Sequence, residues 1–326
     1  MGAERCIRVA ALVLGCVLTA TVAQAQQAAY PSRPLRLILP FPPGGSTDLL
    51  GRTLAEKLGD SLRQPVVPEN RPGAGGNVGA EAAARSAPDG YTLVLCAPSL
   101  AISPSLYRKL NYDPMRDLVP VALVATIPNL LVVHPSVPAR SLAELAQHAR
   151  ANPGKLNFGT GGPGTSNQLA ADMFRSLTRT EIVLVPYKGA ETAMLGVLSG
   201  QVQMAVIGTP ASATHVKSGK LRALALLGKE RYPDLPDVPT AAESGMPEFE
   251  VDTWYGVLAP AGVPREVLAR LNGDIVKVMR TPDMRERLAT MGIQPLASTP
   301  EEFGEFLKSE VARWGKVVRE SGAQVE

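Results

Sequence analysis

The stretch Arg36-Leu-Ile-Leu-Pro-Phe-Pro-Pro-Gly-Gly-Ser-Thr-Asp48 decides the fold, because it runs from an apolar segment through a glycine loop towards a helix. Its first four residues, Arg36-Leu-Ile-Leu39, include a short apolar run, which is typical of a strand buried on both faces of a parallel sheet. Leucines then recur at helical spacing from Leu49 to Leu58, and Gly59 ends the helix. Strand, loop and helix in this order predict an α/β fold.

The same unit repeats along the chain. Short apolar runs predict strands at 65–68, 91–96, 156–158, 182–185, 204–207 and 221–227. Helical spacing and capping residues predict helices at 78–87, 141–151, 168–177, 192–198, 211–217, 265–279, 282–290 and 303–319. The alternation favours a mostly parallel sheet.

The N-terminus has the pattern of a signal peptide. Arg5 and Arg8 precede an apolar run, and Ala23-Gln24-Ala25 matches a cleavage site, so residues 1–25 are expected to be removed after Ala25 and the protein to be exported. The chain is 45% hydrophobic and 19% charged, which excludes global disorder. Its net charge of +3 without a basic block argues against nucleic acid as a partner. No later segment reaches the length of a membrane span, so the protein is not expected to be membrane-embedded.

Two extended segments predict crossings between lobes, near 124–129 and 252–256, since neither shows helical spacing. Two crossings imply a discontinuous first lobe, 30–125 plus 257–326, and a second lobe, 130–253. This is the layout of a hinged binding protein. The alternative is two consecutive domains divided near Pro138.

The first glycine loop, 41–48, follows a strand and begins a helix, so it lies at the sheet edge where α/β proteins bind ligands. The first N–H groups of a helix have no intrahelical partner and favour anions. Gly44 and Gly45 allow close approach of the backbone. Asp48 either contributes to the site or caps the helix.

A second loop, Gly159-Thr-Gly-Gly-Pro-Gly-Thr-Ser-Asn167, matches G-x-G-x-x-G between a strand and a helix. The acidic residue of a dinucleotide site is absent, and Thr165 stands where a phosphate loop has lysine. We therefore expect no cofactor and interpret this loop as a set of neutral donors. On that basis Thr165→Ala should weaken binding roughly 10- to 100-fold and barely change stability.

Catalytic signals are few. No G-x-S-x-G motif is present, and His134, His148 and His215 lack metal-ligand spacing, so we expect no catalytic residue and no metal. Cys96 ends an apolar strand, where a buried thiol is the expected state. A third loop, Val185-Pro-Tyr-Lys-Gly-Ala190, offers Tyr187 and Lys188 at another strand end.

These stretches resemble the substrate-binding receptors of tripartite tricarboxylate transporters, the Bug family. The matching segments are 40–48, 69–77, 87–91, 185–189, 218–225, 254–260 and 269–272. The resemblance implies a type II periplasmic binding protein, with two α/β lobes that close around a cleft. It also implies that the first and second loops grip a ligand carboxylate. Gly208-Thr209 departs from the family pattern, which leaves the identity of the ligand open.

We therefore expect a monomeric periplasmic receptor that captures a small mono-, di- or tricarboxylate and delivers it to the membrane permease subunits of a tripartite transporter. An exported ligand sensor and an exported enzyme are the alternatives. Whether Lys188 or Trp254 touches the ligand stays open. The candidate ligand-binding residues are Phe41, Pro42, Gly44, Gly45, Ser46, Asp48, Ser99, Thr160, Gly161, Gly164, Thr165, Ser166, Tyr187, Gly208 and Thr209.

Overall fold

The structure is a computed structural model that describes residues 30–325. The expected signal peptide, residues 1–25, lies outside these residues. Of these residues, 34–325 belong to one compact unit. Residues 30–33 belong to a separate unit and contain neither helix nor strand.

Strands and helices alternate through most of the described chain. The strands are β1 (Leu35–Leu39), β2 (Val66–Asn70), β3 (Thr92–Cys96), β4 (Leu118–Val133), β5 (Asn157–Thr160), β6 (Val183–Pro186), β7 (Met204–Gly208), β8 (Arg222–Leu226), β9 (Asp252–Pro260) and β10 (Gln294–Pro295). The α-helices are α1 (Ser46–Leu62), α2 (Asn77–Ala84), α3 (Ser99–Leu106), α4 (Leu142–Ala151), α5 (Ser166–Thr178), α6 (Ala190–Leu198), α7 (Thr209–Lys217), α8 (Arg265–Met279), α9 (Pro282–Thr290) and α10 (Pro300–Ser321).

The strands form one sheet in the order β2-β1-β3-β9-β4-β7-β5-β6, and β8 and β10 also pair with β4. β1 is parallel to β2 and β3, and β5 is parallel to β6 and β7. The α/β prediction is confirmed. The sheet is mixed rather than mostly parallel, because β4 and β9 run antiparallel to their neighbours.

The expected first crossing is part of a single 16-residue strand, β4. Residues 118–128 of β4 pair with β9, and residues 129–133 pair with β7 and β8. The register shifts between Pro120 and Ala122 and again between Leu123 and Ala125. A proline cannot donate a ladder hydrogen bond, so an irregular register accommodates Pro120 within a central strand.

Helix starts follow the capping signals of the sequence. The Ser141 hydroxyl accepts a hydrogen bond from the Glu144 N–H at 3.2 Å, as expected at the start of α4. At α10 the Thr299 hydroxyl accepts from the Glu302 N–H at 3.1 Å, and the Glu302 carboxylate accepts from the Thr299 N–H at 2.8 Å. Two bonds of this kind satisfy N–H groups that the helix itself leaves unpaired.

Aromatic side chains fill the core around α10. Trp314 and Phe303 are fully buried, and the Trp254 ring meets the Phe303 ring edge to face at 5.9 Å between centroids. The indole N–H groups of Trp254 and Trp314 donate to the buried Glu310 carboxylate at 2.8 and 2.9 Å. Both indoles are therefore satisfied inside the core. Among residues 30–325, no helix is both long and apolar enough to cross a membrane.

Candidate functional site

A cavity of about 680 Å³ lies where the strand-to-helix loops converge. One side is formed by the loop after β1, the loop at 72–76 and the start of α3. The opposite side is formed by the loops after β5, β6 and β7. Ile127, Asn129, Thr253 and Tyr255 line the cavity from β4 and β9. The cavity therefore lies at the carboxyl ends of the parallel strands, where α/β folds bind ligands.

The N-terminus of α1 opens into this cavity. Gly45 is its N-cap residue, and no side chain caps the helix. The N–H groups of Asp48 and Leu49 donate to the Gly45 carbonyl at 3.0 Å each. The earlier N–H groups of Ser46 and Thr47 have no carbonyl within the helix to bond, and both residues line the cavity. A carboxylate placed here would meet unpaired donors and the positive end of the helix dipole.

Asp48 does not line the cavity, but its hydrogen bonds hold the first loop in place. Its carboxylate accepts from the Gly44 N–H at 3.0 Å, the Arg52 Nε at 2.9 Å and the Asn70 Nδ2 at 2.9 Å. Burial acts to raise the pKa of Asp48, but these hydrogen bonds outweigh it and hold the pKa below its ordinary value. Asp48 is thus an ionised residue that holds Gly44 and the loop in place.

A second helix N-terminus, that of α5, faces the same cavity, and Thr165 is its N-cap residue. The Thr165 hydroxyl accepts from the Gln168 N–H at 3.4 Å and donates to the Gly162 carbonyl at 2.8 Å. The hydroxyl proton is therefore already donated to a carbonyl of the same loop. Asn167 also lines the cavity and donates to the Val206 carbonyl at 2.7 Å, which ties the loop to β7.

These contacts revise the expected effect of Thr165→Ala. Removing the N-cap hydroxyl should lower the free energy of unfolding by about 1 kcal/mol, and the affinity for a carboxylate should fall less than about tenfold because backbone N–H groups remain. Ser141→Ala removes a comparable N-cap hydroxyl that does not line the cavity, and it should match the stability loss without any change in affinity. Chemical denaturation and calorimetry measure both quantities. A large affinity loss with unchanged stability would show that the hydroxyl serves the ligand.

Tyr187 lies on the cavity wall, where its ring packs against a glycine of α6. Its N–H donates to the Thr160 carbonyl at 2.9 Å. A Cβ at Gly196 would lie 2.4 Å from the Tyr187 hydroxyl, so the ring can occupy this place only because α6 has glycine there. Across the cavity, burial raises the pKa of the Tyr255 hydroxyl, which remains a neutral hydrogen-bonding group.

The structure places most of the candidate residues on the cavity wall. Those that line it are Phe41, Pro42, Gly44, Gly45, Ser46, Ser99, Gly161, Thr165, Ser166, Tyr187 and Gly208. Besides Asp48, three others do not line it: Thr160 and Thr209 are buried, and a Cβ at Gly164 would face the Tyr107 hydroxyl at 3.2 Å. Lys188 lines the cavity, whereas Trp254 belongs to the core.

Sequence reasoning missed several cavity residues. The loop at 72–76 lines the cavity, although the sequence indicated 69–77 only as a segment that resembles the family and not as part of the site. Asn129 is a buried polar residue within an apolar strand, and its side chain donates to the Val251 carbonyl at 2.8 Å. Glu191 carried no sequence signal, because an acidic residue in the first turn of a helix is an ordinary feature.

Cys96 is buried, and burial raises the pKa of its thiol, so it has the properties of a core residue rather than a nucleophile. Within residues 30–325, no group of three or more His, Cys, Asp or Glu side chains could hold a metal ion.

Comparison with known proteins agrees with this geometry. The family model described as "Tripartite tricarboxylate transporter family receptor" matches residues 50–323. Protein BugT of Bordetella pertussis is 42% identical over 299 residues, covering 91% of this chain and 92% of BugT. The solved structure of the periplasmic binding protein BugD has a TM-score of 0.83 at 33% identity, covering 91% of this chain and all of that one. An R. palustris protein solved with adipate has a TM-score of 0.84 at 34% identity, with the same coverage.

Proposed function

The chain belongs to the tripartite tricarboxylate transporter receptor family, and on that premise we propose that it captures a small organic acid and delivers it to the membrane permease subunits of such a transporter. The family and the fold are those of solute-binding proteins rather than enzymes. The proposed location is the periplasm, in agreement with the signal-peptide pattern of residues 1–25.

The observation that carries this proposal is the convergence of two helix N-termini, α1 and α5, on one cavity. Neither of the two loops that begin these helices contains lysine or arginine. Backbone N–H groups and helix dipoles can hold a carboxylate without a counter-charge, since hydrogen bonds to a charged acceptor contribute about 1.5–3 kcal/mol each. The adipate bound by the R. palustris neighbour supports a carboxylate as the ligand.

We further propose that the chain forms two lobes, residues 30–125 plus 257–326 and residues 130–253, joined at 124–129 and 252–256. The change of partners along β4 supports this division, since β4 pairs with β9 up to Pro128 and with β7 and β8 from Asn129. The cavity is lined by loops from both proposed lobes. A ligand that contacts both would favour the closed arrangement.

Closure is expected to reduce the radius of gyration when a ligand saturates the cavity. The crossings each contain a residue suited to a bend, Pro128 in β4 and Gly256 in β9. Small-angle scattering with and without ligand measures the change. An unchanged radius at proven saturation would contradict lobe closure while leaving ligand binding intact.

Ligand binding itself is expected to be visible as thermal stabilisation. A ligand at 100 times its dissociation constant adds about 2.7 kcal/mol to the stability of the folded state. A screen of mono-, di- and tricarboxylates, with the corresponding neutral amides as controls, tests the proposal. Stabilisation by an acid but not by its amide would support it, and the absence of any binding acid would contradict it. Recovery of the ligand unchanged after incubation would exclude turnover.

A further inference from the structure

The cavity wall contains two charged side chains of opposite sign among the described residues. Lys188, in the loop before α6, and Glu191, in the first turn of α6, both line it, and both are exposed to solvent. No ion pair within residues 30–325 involves either of them, although the chain forms many others. Their charges are therefore available to a molecule in the cavity.

Glu191 lies close to the proposed anchor for the ligand carboxylate. Its Oε1 is 3.5 Å from the Ser46 hydroxyl oxygen, which belongs to the first turn of α1 on the opposite side of the cavity. Its Oε2 faces the backbone at Gly189, 3.5 Å from where a Cβ would lie. A carboxylate of the protein thus lies beside donors that would otherwise suit any ligand carboxylate.

This position has opposite consequences for different ligands. A second carboxylate near Glu191 would meet a like charge, which disfavours binding in a partly desolvated cavity. A protonated amine at the same place would gain a charge-assisted hydrogen bond. Lys188 acts in the opposite direction, since it would favour the second carboxylate. Specificity of this kind depends on repulsion of one ligand as well as attraction of another.

We propose that Glu191 determines which carboxylates the cavity accepts, favouring those that also carry a protonated amine over dicarboxylates of equal length. This inference rests on the proposed function of the cavity as a carboxylate site. It assigns Glu191 to ligand selection rather than to anchoring, which the N-termini of α1 and α5 provide.

Two length-matched pairs test the proposal: ε-aminocaproate against adipate, and γ-aminobutyrate against succinate. Calorimetry at pH 7.5 gives the ratio of dissociation constants for each pair in the wild type, in Glu191→Gln and in Lys188→Gln. We expect the wild type to prefer the amino member of at least one pair. Glu191→Gln should shift the ratio by about tenfold or more towards the dicarboxylate. Lys188→Gln, the matched control, should shift it in the opposite direction.

The outcomes separate this inference from the proposed function. If the wild type binds dicarboxylates and Glu191→Gln leaves the ratio unchanged, or shifts it in the same direction as Lys188→Gln, the role of Glu191 is contradicted and the carboxylate receptor stands. If no member of either pair and no other carboxylate binds, both are contradicted. Melting temperatures of the two variants should match that of the wild type, because both side chains are exposed.

Discussion

Gly45→Asp is expected to reduce carboxylate affinity by more than about 100-fold without destabilising the folded protein. Gly45 is the N-cap of α1, with φ −85° and ψ 173°, a conformation that any residue adopts. A Cβ there would meet no atom within 4 Å. The new carboxylate would accept hydrogen bonds from the same N–H groups proposed to hold the ligand. Replacing glycine by aspartate at an N-cap changes helix stability by only a few tenths of a kcal/mol, so loss of binding would not reflect unfolding.

Gly45→Asn separates occupation of the site from charge repulsion. Asparagine caps a helix about as well as aspartate and carries no charge. We expect Gly45→Asn to weaken binding less than Gly45→Asp, because the amide competes for the N–H groups but does not repel the ligand. Calorimetry with one confirmed carboxylate measures both. Wild-type affinity in Gly45→Asp would place the carboxylate away from α1.

Local sequence patterns were sufficient to predict most of the elements. The helix at 265–279 has its predicted ends, because a proline precedes it and apolar residues recur at helical spacing along it. Helix α3 was missed, since Pro104 interrupts it and its residues show no clear amphipathic spacing. No side chain caps its start, and most of its residues are buried, so its stability depends on packing that has no local sequence signature.

The site was predictable in its position but not in its details. Loops at the carboxyl ends of parallel strands must meet at one edge of the sheet, so Ser46 and Ser166 could be assigned together. The role of Asp48 depends on Asn70, which is 22 residues distant in sequence and reaches the carboxylate only after β1 and β2 pair. The Thr165 hydroxyl donates its hydrogen bond to the Gly162 carbonyl within the second loop. The sequence alone does not distinguish such a bond from a bond to the ligand.

Asp252, the first residue of β9, lies in an environment that disfavours its charge. It stands opposite Pro128, which has no N–H to donate, and its Oδ1 has no hydrogen-bond partner among the described residues. A Cβ at Gly228 would lie 3.1 Å from the same oxygen. Burial raises the pKa of Asp252 to about 7, and the nearby Glu250 and Glu310 charges add to the rise against the opposing effects of Arg313 and Lys229.

We expect Asp252→Asn to stabilise the protein above neutral pH. The folded-state pKa is above that of the unfolded chain, so the contribution of Asp252 to stability is most favourable below pH 4, where Asp252 is protonated in both states. This contribution then falls as the pH rises towards 7 and is constant above it. A rise in the pKa from 3.8 to about 7 corresponds to a loss of roughly 4 kcal/mol in the free energy of unfolding once Asp252 is ionised. Asparagine does not titrate, so the advantage of the variant should grow from pH 4 to pH 7.

Asp48→Asn is the matched control, because the same substitution should have the opposite sign there. The pKa of Asp48 is lowered in the folded state, so its charge stabilises the protein above the unfolded pKa, and this contribution is lost as the pH falls through the folded value. Denaturant unfolding from pH 3 to pH 8 gives the free energy of unfolding of each variant. At neutral pH this free energy should lie above the wild-type value for Asp252→Asn and below it for Asp48→Asn. If the two curves instead run together, the unpaired oxygen beside Pro128 does not govern the ionisation of Asp252.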